Sequence, residues 1–183
     1  LRFNPADAEL NPWIDRLIES QPVLRRPRLF YDVTLFRSQW NDNYRTGIQR
    51  VVASLLPWLK PATHDFWPVE LTADLVGYQA VFFGNDRLMK SSGIAAQFQA
   101  GDIVLIPELR HTVDANQPIW RRLRAARVEI HAILYDMLPI ILPQFFNPGA
   151  IEVQMRYASW LLETVDAVHA ISLSSADEFH AWR

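Results

Sequence analysis

Five side chains have the type and setting to act on a hydroxyl-bearing or anionic ligand: Gly47, Arg50, Glu108, Asp136 and Ser172. Asp136 follows the apolar run Val128 to Tyr135 and precedes Leu138-Pro139. A carboxylate at such a strand end can accept a hydroxyl proton and raise the nucleophilicity of the oxygen. An Asp in the same place also caps the backbone of a turn, so both roles stay open. Glu108, after Pro107, holds the analogous position on another apolar run and is read as a binding residue. Gly47 opens a helix, where free N–H groups and the helix dipole favour an anion and a missing side chain admits a phosphate or sugar. The alternative is a helix-opening glycine with no ligand. Arg50 lies one turn later, off the apolar stripe, and either faces the same cleft or stands in solvent. Ser172, with Ser174 and Ser175, would line the cleft, although Ser175 with Glu178 also reads as a capping box.

Composition narrows the chemistry. The 183 residues are 50% hydrophobic and 21% charged, the balance of a folded domain rather than a disordered chain. A formal net charge of -2 argues against a nucleic-acid binder, which needs a phosphate-neutralising surface. The absence of cysteine removes disulfides, thiolate metal sites and a cysteine nucleophile. The five histidines, His64, His111, His131, His169 and His180, show no metal-ligand spacing along the chain, so no metal is expected. His131 and His169 fall inside strands and read as core or surface residues. No stretch reaches the roughly 20 apolar residues of a membrane span, and no signal peptide opens the sequence. The expectation is a cytoplasmic location. The segment Trp120 to Arg127 carries four arginines and no acid. It would serve either as a peripheral contact with an anionic membrane face or as a solvated helix end.

The elements that must position these residues follow from periodicity. Leu29 to Leu35 is apolar enough for a buried strand, with the polar RSQWNDNYR after it as a loop. Ile48, Val51, Val52, Leu55, Leu56 and Leu59 form one helical stripe, opened by a Thr46-x-x-Gln49 capping box. Strands are expected at 66–71, 79–83, 102–106, 128–135 and 167–171. Helices are expected at 116–127, from Ile151 to Thr164, and from Ser175 onward. Strand and helix alternate, so the fold expected is α/β: a Rossmann-like domain with a mostly parallel central sheet flanked by helices. Ligands bind beyond the carboxyl ends of such strands. Those ends are polar here: Asp32 and Thr34, Asn85 and Asp86, Glu108, Asp136, and Ser172 with Ser174.

Several segments resemble the bacterial glycosyltransferases of the GT4 family, whose fold is called GT-B. They are FYDVTLF, NYRTGIQRVVASLL, FQAGDIVLIPE, RVEIHAILYDMLPIILPQFF and DAVHAISLSSADEF, in that order. The most particular element is D-x-L-P-x-x-x-P at Asp136, Leu138, Pro139 and Pro143. The resemblance covers about residues 28 to 183, is weak over 60–97, and leaves residues 1–27 as an N-terminal extension. It implies an acceptor-side domain with Asp136 catalytic and Gly47, Arg50, Glu108 and Ser172 on the substrate. The reaction implied is sugar transfer, with retention, from a nucleotide sugar to a glycan or lipid-linked acceptor of a surface polysaccharide such as lipopolysaccharide. No cofactor or metal is implied. A second, C-terminal domain would hold the donor, so this half alone is expected to be inactive. The alternative is a non-catalytic module of the same shape used for binding or assembly.

Overall fold

Four consecutive buried residues, Leu29–Asp32, form the central strand β1, and Asp32 itself ends it. The Asp32 carboxylate accepts hydrogen bonds from the backbone N–H (2.9 Å) and the hydroxyl (2.6 Å) of Thr34. Val33 leaves the extended region at φ -115°, ψ 22°. The strand expected to run to Leu35 therefore stops three residues early. Much of the expected loop is instead helix α1, Thr34–Asn41. A side-chain acceptor two residues back competes with the sheet for the backbone, as Asp does in turns.

The computed structural model describes residues 27–42, 46–62, 65–83, 89–110, 113–114 and 117–183; most of the expected N-terminal extension, and Asn85 and Asp86, lie outside them. After β1 and α1 come α2 (Gly47–Ala62), β2 (Phe66–Leu71), β3 (Tyr78–Phe83), β4 (Met89–Ala95) and β5 (Ile103–Ile106). Then follow α3 (Pro118–Ala125), β6 (Glu129–Leu134), α4 (Leu138–Ile141), α5 (Pro148–Thr164), β7 (Ala167–Ala170) and α6 (Leu173–Trp182). The sheet has seven strands in the order β4-β3-β2-β1-β5-β6-β7. β1 pairs in parallel with β2 and β5, and β5-β6-β7 continue in parallel. β3 and β4 extend one edge antiparallel. The fold is thus the expected α/β domain with a mostly parallel sheet. The strand β4 was not anticipated, because its Lys90-Ser91-Ser92-Gly93 lacks the apolar signal of a buried strand.

Alternation in each strand feeds two cores. Phe30, Val104, Ile130 and Ala132 pack with Trp120 and Leu123 of α3 and Trp160 of α5. Tyr31 and Val81 face the other way and pack with Phe36 of α1 and Val52 of α2. Burial of a side chain such as Leu123 or Ile130 contributes roughly 1.5–3 kcal/mol. The crossover from β1 to β2 therefore runs on one face, and those from β5 to β6 and β6 to β7 run on the other. The winding reverses between β1 and β5. At the opposite end of these two strands Arg28 latches them: its Nη2 donates to Asp102 Oδ2 at 2.7 Å and to the Gln97 carbonyl at 2.6 Å. Burial raises the Asp102 pKa, but hydrogen bonds from Arg28 and Gln99 outweigh it and hold that carboxyl below its ordinary value.

The last helix corrects a capping assignment. Its N-cap is Ser172, whose Oγ accepts from the Ser175 N–H at 3.1 Å. Ser175 instead turns inward, and its hydroxyl donates to the Tyr135 carbonyl at 2.7 Å. The expected Ser175-Glu178 box does not form, because burial of Ser175 takes its hydroxyl to the sheet. The Thr46-Gln49 pairing is present in one half: the Thr46 N–H donates to Gln49 Oε1 at 3.0 Å.

Candidate functional site

The chain leaves β5 through Pro107 and bends at Glu108. Leu109 packs against the apolar core, while Glu108 (3% exposed) and Arg110 (4%) are buried at the carboxyl end of β1. There they meet Asp32 (1%) and Tyr78 (1%). Arg110 Nη2 donates to Asp32 Oδ2 and, at 2.9 Å, to Thr34 Oγ1. Tyr78 donates its hydroxyl to Asp32 Oδ2 at 2.7 Å. Thr34 Oγ1 also accepts the Leu71 N–H at 2.8 Å, which ties β2 into the cluster. Asp32, Thr34, Tyr78 and Arg110 thus form a closed network, which a buried ion pair requires if its desolvation is to be offset.

Glu108 is the exception. Its Oε2 accepts the Phe36 N–H at 2.8 Å, in the first turn of α1, where the helix dipole favours a negative charge. Its Oε1 is buried with no hydrogen-bond partner among the described residues. Burial is the main cause that pushes the Glu108 carboxyl up to about 7; the Phe36 N–H opposes this, the Asp32 charge adds to it, and Arg110 opposes it. Burial works against the charge of Arg110, yet the Asp32 carboxylate prevails and raises its pKa. Tyr78 is raised by burial and then by Asp32, so it stays a hydroxyl donor.

This cluster lies where the winding reverses, between the carboxyl ends of β1 and β5, the place where ligands bind in sheets of this kind. A carboxyl buried with one unmet oxygen, titrating near neutrality, can accept a hydrogen bond from a ligand hydroxyl or hold a proton for it. Asp32, Thr34 and Glu108 stood out in the sequence as polar strand ends. Arg110 and Tyr78 did not, although an arginine two residues after a strand-end acid is a signal that could have been read. A further pair stands nearby: Arg37 Nε donates to Glu70 Oε2, and Gln79 Nε2 donates to Glu70 Oε1 at 3.0 Å.

Asp136 and Ser172 form a second group at the ends of β6 and β7. Asp136 Oδ1 accepts the Leu138 N–H at 3.0 Å, the turn-capping geometry, and its carbonyl accepts from Gln154 Nε2 at 2.8 Å. Ser172 caps α6 as described. Tyr135 joins the two groups, since its hydroxyl donates to the Pro107 carbonyl at 2.7 Å, beside Glu108. Gly47 and Arg50 are exposed in the first turn of α2, which is tied to α1 through Gln49 Nε2 and Gln39 Oε1. A Cβ added at Gly47 would meet nothing within 4 Å.

Two arginines of α3 hold neighbouring segments. Arg122 donates to the Val76 carbonyl at 2.7 Å and Arg124 to the Glu163 carbonyl at 2.6 Å. Between α3 and the β2-β3 turn lies a cleft of about 390 Å³, with Thr72, Tyr78, Phe98 and Arg122 among its walls. Tyr78 thus belongs both to the wall of this cleft and, through its hydroxyl, to the Asp32 cluster. Among the described residues no group of three or more His, Cys, Asp or Glu is gathered around a metal position, and no helix is long and apolar enough to cross a membrane.

No known protein-family profile matches the chain, and comparison with curated proteins gives no match. Among solved structures, the chain is similar to a protein of unknown function from Methanothermobacter thermautotrophicus, at 9% identity and a TM-score of 0.36, over 93% of this chain and 90% of that one.

Proposed function

We propose that this chain is the acceptor-side half of a GT-B glycosyltransferase. It would hold a glycan or lipid-linked acceptor while a second domain presents a nucleotide sugar. The observation that carries the reading is the unpartnered Glu108 Oε1 at the switch point between β1 and β5. That oxygen is buried, so a sugar hydroxyl would have to displace its cover in order to donate to it, while the α1 N-terminus already steadies the other oxygen. The order of segments that resemble GT4 enzymes supports the same assignment.

In the proposed reaction an acceptor hydroxyl bonds to the anomeric carbon of the donor, the bond to the nucleotide diphosphate breaks, and the hydroxyl proton leaves to a base. Asp136 is the candidate base. Its Oδ1 accepts the Leu138 N–H, and in this reading Oδ2 would take the hydroxyl proton. The second reading, a non-catalytic carbohydrate-binding module, is favoured by one observation: Asp136 and Ser172 both already serve as local caps.

Saturation-transfer NMR of the 183-residue chain with mono- and disaccharides tests the acceptor role. Saccharide contact that is lost in Glu108→Ala is the expected result. No contact with any saccharide at millimolar concentration would sink the proposal, as would turnover of a sugar nucleotide by this chain alone. An assay with a donor domain added separates enzyme from binding module.

A further inference from the structure

His131 lies on β6 and His169 on β7, and the parallel register pairs His131 with Ala167 and Ile133 with His169. The two histidines are therefore diagonal neighbours on one face of the sheet, the face that also carries Leu105, the partner of His131 on β5. That face bears α1 and α2 over β1 and its neighbours, while His169 is exposed and the His131 side chain is 18% exposed. His169 Nε2 stands 3.2 Å from His131 Nδ1. On the far side of the same ring, His131 Nε2 stands 3.1 Å from Glu129 Oε2.

We propose that His131 Nδ1 and His169 Nε2 together bind a divalent transition cation of the zinc, copper or nickel class. Two nitrogens on one tetrahedral ion at Zn–N distances of 2.0–2.1 Å are separated by about 3.4 Å, so the observed spacing already fits and the rings need only turn to aim both lone pairs at a shared ion. Glu129 supplies the second feature of such a site. A ligating histidine commonly donates its other N–H to a carboxylate, which fixes its tautomer and raises its basicity. With Glu129 accepting from Nε2–H, the lone pair of His131 is at Nδ1, facing His169. Without a cation, that lone pair accepts the His169 Nε2–H. With one, His169 takes its Nδ1–H tautomer and both lone pairs meet the ion. Imidazole ligands select this group of metals over magnesium or calcium. The remaining coordination positions stay open to water or to a ligand. The two residues are 38 positions apart in the chain, so no spacing motif announces them.

The test is calorimetric titration of the 183-residue chain with Zn2+ in a buffer that does not chelate. One saturable site is expected. His131→Gln and His169→Gln should each weaken it at least tenfold, Glu129→Ala should weaken it about 10-fold, and His180→Gln should leave it unchanged. Absence of saturable binding in the parent would overturn the site, as would parent-like affinity in the double variant His131→Gln/His169→Gln. A second measurement uses the unaltered chain. Substoichiometric Cu2+ should broaden the imidazole signals of His131 and His169 first among the five histidines. Broadening of another pair, or of none, would refute the assignment.

Discussion

Arg110 and Asp32, 78 positions apart in sequence, form an ion pair in which both side chains are almost fully buried. Tyr78 and Thr34 complete its hydrogen bonds, so the charges are compensated on every side that the neighbouring residues offer. The pair closes the gap between β1 and the segment after β5 and sets the wall against which Glu108 is buried. Its removal is therefore a question about the site as well as about stability.

Breaking the pair from one side should be costly. Arg110→Met leaves the Asp32 charge buried, and Asp32→Asn strands the Arg110 charge. Each is expected to lose about 3–5 kcal/mol of unfolding free energy. The double variant should lose much less than the sum of the two, because no unpaired charge remains. Urea denaturation of the three variants measures this, and simple additivity would show that the two groups are not coupled.

The raised Glu108 carboxyl makes stability depend on pH. Its value rises from an ordinary 4.5 to about 7 on folding. Between those pH values the folded chain keeps a proton that the unfolded chain has released. The contribution is thus full below about pH 4.5 and is lost as pH rises through 7. The total change is on the order of 3 kcal/mol. Glu108→Gln should abolish that slope and be the more stable protein at pH 8. Urea midpoints across pH 5 to 8 provide the check, and equal slopes in both proteins would contradict it.

Asp136→Asn tests the proposed base. Asn keeps an oxygen for the Leu138 N–H, so folding should change little. In a protein that carries both halves of the proposed enzyme, transfer should fall about 10²-fold or more. Activity near that of the parent would reduce Asp136 to the turn cap that its geometry already describes.

At Gly47 the prediction concerns space. Nothing lies within 4 Å of an added Cβ, so Gly47→Ala should be neutral or stabilise the helix by up to about 0.5–1 kcal/mol. If the open volume admits donor phosphate or acceptor sugar, Gly47→Val should abolish transfer in the two-domain protein while melting near the parent. A thermal melt paired with a transfer assay separates these effects, and a fully active Gly47→Val would remove Gly47 from the site.

The stripe from Ile48 to Leu59 specified α2 by itself, and the short apolar runs around Val104, Ile130 and Val168 specified parallel strands. Local periodicity suffices there, because a buried face repeats along the chain whatever it packs against. The strand-end acids Asp32, Glu108 and Asp136 were visible for the same reason: each interrupts an apolar run. Which of them meet was not visible. Asp32 finds Arg110 and Tyr78, Glu108 finds the N–H of Phe36 72 positions away, and the Asp136 carboxylate caps its own turn. The exchange of cap between Ser172 and Ser175, the edge strand β4 and the meeting of His131 with His169 belong to the same class. Each depends on strand order and on which face a neighbouring element covers. Those are properties of the assembled sheet, and the spacing of residues along any one segment does not encode them.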